Sequence, residues 1–444
     1  MKTIGGTMVG VAAGAVLGYG AGQTMSGQAP RQTVTATRTE TAGSKPPVDV
    51  IKVGDLCPLT GSSGPTGQDI KRIYDMFIDD YNATGGVKAG PFKGAKINWI
   101  WSDTQSLPET SRAEAERLIT QEKVHLLIGG WVSSTQLAAK QVTERYGFPL
   151  LNDASTAVTI TKGANNKWFW RITPHDLMFG RVMFEFLRDL QQKKNVKVKT
   201  IGIIFMNDVT GVDMRNTIVN VLNPDPQYGG PYEIVCDVTV NTGTPTVDSE
   251  LLTVKKANPD VLFGHLQSAE GILVQKGLRQ YDINPKLTLR TDSTALDKRF
   301  QDAVGGLADC LANRAAWNYD INKPSSKEWD AKFVAKYGYH MFEARMLAGA
   351  QVVVKTFERL REPSLEPKVI QQTLNEMYIP AEEMIVPWGI KFYPPGDIDA
   401  GQNMLGGGIV LQYKGQSDLA TVYPWDVASR ELVFPVPTWK DRGL

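Results

Sequence analysis

Cysteine and histidine are both scarce in this chain. Its three cysteines, Cys57, Cys236 and Cys310, lie far apart among 444 residues, a spacing that excludes a zinc cluster or a dense disulfide framework and leaves room for one disulfide at most. The four histidines, His125, His175, His265 and His340, form no His-x-x-x-His pair, so a helix-borne metal site is not expected and they read as ordinary structural or surface side chains. No excess of one charge is present either. Forty-eight Lys and Arg face 47 Asp and Glu, for a net charge of +1, and their interspersion argues against nucleic-acid binding. Also missing are a Gly-x-Ser-x-Gly elbow, a nucleotide P-loop and a Gly-x-Gly-x-x-Gly turn after a strand, so neither a nucleophilic hydrolase nor a bound cofactor is indicated.

What is present begins with residues 51–87, IKVGDLCPLTGSSGPTGQDIKRIYDMFIDDYNATGGV. This reads as a short strand, a glycine-rich loop, and a helix whose apolar residues Ile70, Ile73, Tyr74, Phe77, Ile78 and Tyr81 recur at helical spacing. Gly85-Gly86 ends it. A loop of that kind between a strand and a helix N-terminus suggests small-molecule binding through backbone N–H groups. Apolar runs then alternate with helical patterns: INWIW at 97–101, VHLLIGG at 124–130, IGIIFM at 201–206 and VLFGHL at 261–266. Near-continuous apolar strands separated by helices predict an α/β protein with parallel sheets covered on both faces, and the length favours two domains. In such sheets ligands bind beyond the carboxyl ends of the strands.

The N-terminus is of another kind. Residues 1–25 are rich in Gly and Ala and carry Lys2 as their one charge, which reads as an export signal or a retained membrane anchor. Residues 26–49, dominated by Thr, Ser, Ala and Pro, lack the apolar surface to fold and read as a disordered linker.

The motif PLTGSSGPTG with its helix and NATGGV, then IGG before SSTQ, FPLLNDASTA, FWRITPHD and the ending VYPWDVASRELVFPVPTWKDR, resembles the type I periplasmic solute-binding proteins of ABC transporters, in the branched-chain amino acid and amide-urea class. The resemblance spans about residues 50 to 444. It implies two Rossmann-like lobes joined by a three-segment hinge, with lobe one at 50–173 and 292–378 and lobe two at 174–291 and 379–444. Its implied partners are a small-molecule solute and the transporter's membrane subunits, in an extracytoplasmic setting, with membrane association through the N-terminal segment.

Residues following the strands are the site candidates. Ser133 and Ser134, after VHLLIGG and Trp131, either cap the next helix or receive a ligand oxygen; the resemblance favours contact. Ala154, Ser155 and Thr156 match the loop that family members use for an α-carboxylate. Glu270 falls where members place an acid for the α-amino group, against the competing reading of a solvated first-turn acid. Thr66 and Thr210 stand where amino-acid binders often carry aromatic residues, while Trp131 is similar to an aromatic of the amide and urea binders. Trp168, Trp170 and Trp317 read as core. Asp103 and Asp292 are pocket-edge candidates or helix caps, and Asn82-Ala83-Thr84 fits both a glycosylation acceptor and the family's helix ending. The implied function is solute capture for import. A ligand-sensing receptor of the same fold and an amide-hydrolysing enzyme are the alternatives.

Overall fold

The computed structural model describes residues 46–163, 165–341 and 345–444. The expected signal or anchor at 1–25 and nearly all of the linker lie outside the described residues.

The first sheet is built by β1 (Val50–Cys57), β2 (Lys96–Asp103), β3 (Leu126–Gly129), β4 (Leu150–Asn152) and β5 (Phe169–Arg171), in spatial order β2-β1-β3-β4-β5. All its pairings are parallel. The strands alternate with α1 (Gly64–Ala83), α2 (Pro108–Thr120) and α3 (Ser133–Tyr146). Side chains along a strand point to opposite faces, and consecutive residues therefore enter different cores. Leu127, Leu150 and Phe169 pack with Leu118, Ala139 and Val142 of α2 and α3, whereas Ile128, Leu151 and Trp170 pack with Ile70, Ile73 and Phe77 of α1. The six apolar residues that define the helical spacing of α1 are all buried. Gly85 and Gly86 follow at φ +116 and +74, and a Cβ on Gly86 would strike the Ala95 carbonyl, so glycine is required there.

The second lobe continues with α4 (Asp176–Lys194), β6 (Thr200–Met206), α5 (Val209–Asn216), β7 (Glu233–Val240), α6 (Asp248–Ala257), β8 (Val261–His265), α7 (Ser268–Gln280), β9 (Leu287–Arg290), α8 (Lys298–Val304) and β10 (Ala312–Ala315). Three helices follow, α9 (Pro324–Tyr337), α10 (Arg345–Glu358) and α11 (Pro367–Asn375), then β11 (Tyr378–Ile379), β12 (Ile390–Lys391), β13 (Ile409–Lys414) and β14 (Asp418–Tyr423). The second sheet has the order β14-β13-β10-β9-β8-β6-β7. It is mixed: β13 joins β10 antiparallel and β14 joins β13 antiparallel. Phe263, Leu287 and Leu289 pack with Phe184 and Leu187 on one face. Ile204, Met206 and Leu262 meet Leu251, Val254, Val274 and Leu278 on the other.

Strand pairing corrects two expected boundaries. A return to the first lobe at residue 292 is not observed, because β10 pairs with β9 and β13 in the second sheet. Helices α9 to α11 are what return: Phe333, Met346, Leu347 and Ile370 join the core of Ile128 and Trp170. Nor does the chain leave at 379. The β11–β12 ribbon stays with Ile385, Trp388 and Ile390 in that same core, and the chain crosses back before β13.

The first and third crossing segments are tied together. Arg171, fully buried, donates from Nε to Gln402 Oε1 at 2.5 Å and from Nη1 to the Ala157 carbonyl at 2.7 Å. Asn403 donates its backbone N–H to the Arg171 carbonyl at 2.8 Å and its side-chain Nδ2 to the Ile172 carbonyl at 3.1 Å. Buried polar side chains at a crossover are tolerable because each finds main-chain partners.

Candidate functional site

The carboxyl ends of strands from both sheets converge on a cleft of about 500 Å³, within the roughly 300–1,000 Å³ usual for small-molecule sites. From the first lobe, the loop after β1 supplies Ser62, Ser63 and Thr66, the turn after β3 supplies Trp131 and Ser133, and the loop after β4 supplies Ala154, Ser155 and Thr156. From the second come Thr210, His265, Gln267, Glu270, Asp292, Arg299 and Arg314, with Arg345 completing the lining. Eight of the nine residues expected from the sequence thus share one cleft. Ser134 is the correction: it is exposed on α3 and does not line the cleft, because at helical spacing the residue after Ser133 is turned some 100° away.

The loops are held by short-range bonds that shape the first wall. Asn152 Oδ1 accepts the N–H groups of Ala154 and Ser155 at 3.2 and 3.1 Å, and the Ser155 hydroxyl donates to the Gly130 carbonyl. A Cβ on Gly130 would lie 3.0 Å from both Ala154 N and Asp153 Oδ1, so glycine permits the two loops to approach. Thr135, not Ser133 or Ser134, makes the reciprocal contact at the start of α3, its Oγ1 accepting the Val132 N–H at 3.0 Å. Ser133 Oγ accepts from Ala157 N at 3.4 Å, which leaves its own proton for a further acceptor. The hydroxyls of Thr66 and Thr156 carry no hydrogen bond among the described residues. The hydroxyls of Thr66, Ser133 and Thr156 are thus left to donate, with the Arg345 guanidinium beside them, 5.7 Å above the Trp131 ring.

The facing wall carries three carboxylates, Glu270, Asp292 and Asp297. Glu270 is only 4 % exposed, which removes the reading of a solvated surface acid. Its Oε1 accepts the Gly243 N–H at 2.7 Å. His265 contacts Thr291 Oγ1 through Nδ1 at 2.8 Å, and burial holds its pKa below the ordinary value, so it is neutral at pH 7. Arg314 donates to the Thr291 carbonyl at 2.7 Å and lies 3.7 Å from Asp176. Thr210 is spent on Asp208 at 2.9 Å.

Asp292 is committed elsewhere: it receives Arg290 Nε at 2.8 Å and the Leu266 and Thr294 N–H groups at 3.0 Å. Asp103 stays outside the cleft and anchors its opening loop, accepting Thr60 Oγ1 at 2.6 Å. Asn82 uses both ends of its side-chain amide on the Ile97 backbone, at 2.9 and 2.8 Å, which ties up the atom a glycan would need. The three cysteines are free and buried. Among the described residues no group of three or more metal-ligating side chains forms a metal site, and no helix is long and apolar enough to cross a membrane.

Beneath the first wall lies a buried acidic pair. Burial raises the Asp153 carboxyl from 3.8 to about 6, opposed by the Tyr74 hydroxyl that donates to it and by Arg345. Asp55 is held well above the usual carboxylate range by its burial and by Asp153, and accepts Trp99 Nε1 at 3.0 Å. The rings of Trp99 and Trp101 lie 5.0 and 6.0 Å from Tyr74.

Sequence reasoning missed His265, Arg299, Arg314 and Arg345. Of these only His265, at the end of an apolar run, carried a positional signal.

Residues 50–404 match the family model described as "Periplasmic binding protein". A Leu/Ile/Val-binding protein homolog 7 of Brucella melitensis is 24 % identical over 419 residues, covering 89 % of this chain and 96 % of the relative. Among solved structures, the branched-chain amino acid transporter substrate binding protein LivJ of Streptococcus pneumoniae, in complex with isoleucine, is similar with a TM-score of 0.68 at 17 % identity, covering 87 % of this chain and 100 % of that one. A solute binding protein of an ABC transporter from R. palustris, in complex with benzoate, gives 0.67 at 17 % identity, with coverage of 88 % and 97 %. At such identities these structural likenesses bear on the fold.

Proposed function

This chain belongs to the periplasmic binding protein family, and from that premise we propose that it is the extracytoplasmic solute-binding component of an ABC importer. It captures a small amino acid, amide or carboxylate between two closing lobes and presents the closed form to the transporter's membrane subunits. The observation that carries this reading is the composition of the cleft. A wall whose Thr66, Ser133 and Thr156 hydroxyls are left to donate, with Arg345 nearby, faces a buried carboxylate, Glu270. The first wall suits a carboxylate or amide oxygen and Glu270 suits an ammonium or amide N–H.

Closure follows from differential contact. A solute that touches both walls only when they meet stabilises the closed state by that difference, with the crossings around Arg171, Gln402 and Asn403 as the hinge. Water expelled from the cleft strengthens each remaining polar contact. Residues 1–25 serve in this reading as the export signal or a retained anchor. That relatives of the same fold are named for isoleucine and benzoate complexes supports a small carboxylate-bearing solute.

The test is thermal denaturation of the protein against amino acids, short amides, urea and aromatic carboxylates. Ligand at 100 times its dissociation constant stabilises the native state by about 2.7 kcal/mol. A rise in Tm confined to one chemical class supports the reading. No rise with any of them counts against it.

A further inference from the structure

The cleft does not end at its central volume. A second cavity of about 520 Å³ lies between α1, α8 and the segment leading into α10, and it shares Thr66, Asp297 and Arg299 with the first. The two form one trough, larger than a single amino-acid side chain requires. Far from the centre its wall is aromatic, with the Tyr319 and His340 rings stacked at 3.9 Å.

The charges along this trough are unequal in their commitments. Arg72 donates to Asp69 at 2.6 Å and to the Tyr339 hydroxyl at 3.0 Å. Lys298 binds both oxygens of Asp302 at 2.9 Å. Asp297 is occupied by Phe300 N and Ser268 Oγ, both at 2.7 Å. Arg299, exposed at the junction of the two cavities, makes no hydrogen bond or ion pair among the described residues and is held by water alone. Asp297 shares the junction but makes no ion pair with Arg299, so closing the lobes strips water from a guanidinium that no carboxylate holds directly, which is costly unless an anion takes the water's place. A carboxylate matches its fork of donors.

Resting on the reading of the cleft as a solute site, we propose that the solute is elongated and carries a second carboxylate at its tail. The head sits in the central cleft. The tail acid pairs with Arg299 at the junction, and the aromatic annex beyond receives any further apolar extension. Arg299 is then the residue that selects acid-tailed solutes over neutral ones of equal length.

The experiment is titration calorimetry on the full protein with three matched pairs: L-norleucine and L-2-aminoadipate, hexanoate and adipate, benzoate and terephthalate. Within each pair the second compound replaces a methyl group or a ring hydrogen by a carboxylate. In at least one pair the acid-tailed member is expected to bind ten-fold or more tightly. In Arg299→Gln that ratio should collapse to near one. Equal affinity within every pair that binds, or a ratio unchanged in Arg299→Gln, overturns the proposal while leaving the solute-binding reading intact. If none of the six compounds binds, the tail-acid assignment falls, and the broader thermal panel separately decides whether the cleft takes a solute at all.

Discussion

Replacing Asp153 by Asn should change how stability depends on pH, because of where that carboxyl sits. It is 2 % exposed, receives the Tyr74 hydroxyl, and lies close enough to Asp55 for the two to resist joint ionisation. In the unfolded chain the group ionises near 3.8, in the folded protein near 6. Between those values the folded state holds a proton that the unfolded state has released, so stability is lost as pH rises through this window. The rise corresponds to about 3 kcal/mol once both states are ionised, and about 2 kcal/mol of that accrues between pH 4 and pH 7. Asp55, displaced in the same direction, adds to the slope. Urea denaturation of wild type and Asp153→Asn at several pH values, followed by tryptophan fluorescence, checks this. Trp99 and Trp101, packed on Tyr74, report the region directly. The variant, whose amide still accepts from Tyr74, should gain on wild type by about 2 kcal/mol on going from pH 4 to 7. Parallel profiles, or wild type gaining on the variant as pH rises, would refute the reasoning.

Glu270→Ala should weaken binding of an ammonium-bearing solute by about 2 to 5 kcal/mol, read by calorimetry with the best amino-acid ligand of the thermal panel; unchanged affinity would remove Glu270 from the site. Glu270→Gln keeps an acceptor for the Gly243 N–H, and loss of affinity there isolates the charge from the fold. For Ser133→Ala the expected loss is about 1 to 3 kcal/mol of binding, and an effect confined to Tm would make Ser133 a structural residue only. Gly349→Ala places a Cβ 2.8 Å from Asp153 Cβ and closer still to the Tyr74 hydroxyl. Overpacking there should cost about 1 to 3 kcal/mol of stability, measured by urea denaturation.

The strands that read as continuous apolar runs are present where the runs are: 97–101 falls in β2, 201–206 in β6 and 261–265 in β8. For β6 and β8 legibility follows from burial on both faces, and for the edge strand β2 from the large apolar side chains of Trp99, Ile100 and Trp101, which are half-buried. The strand β10, Ala-Asn-Arg-Ala, gave no such signal, since its buried Asn313 and Arg314 are polar, and with it went the second lobe boundary. The ribbon of β11 and β12 has two residues a side, too short for any period to show. In the site, residues that directly follow strands were readable because topology alone carries strand ends to the cleft. Arg345 arrives there on α10, a helix that returns from the second lobe, and Arg299 on α8, whose first residue Lys298 stands eight residues beyond the end of β9 at Arg290, and no local pattern announces either. Ser134 was misplaced for the opposite reason: a pair of adjacent serines looks alike in sequence, and only the turn of α3 separates them.

The discontinuity of the first lobe has a kinetic corollary. Its sheet is complete at Arg171, yet α10, whose Met346 and Leu347 share a core with Ile128 and Trp170, ends only at Glu358. At about 5–20 residues per second of synthesis, that face of the sheet has α1 but not α10 to cover it for roughly 10 to 40 s after its last strand has emerged. During that interval the nascent chain cannot lock into its final form. The order of the elements along the chain thus sets a built-in delay on the first lobe.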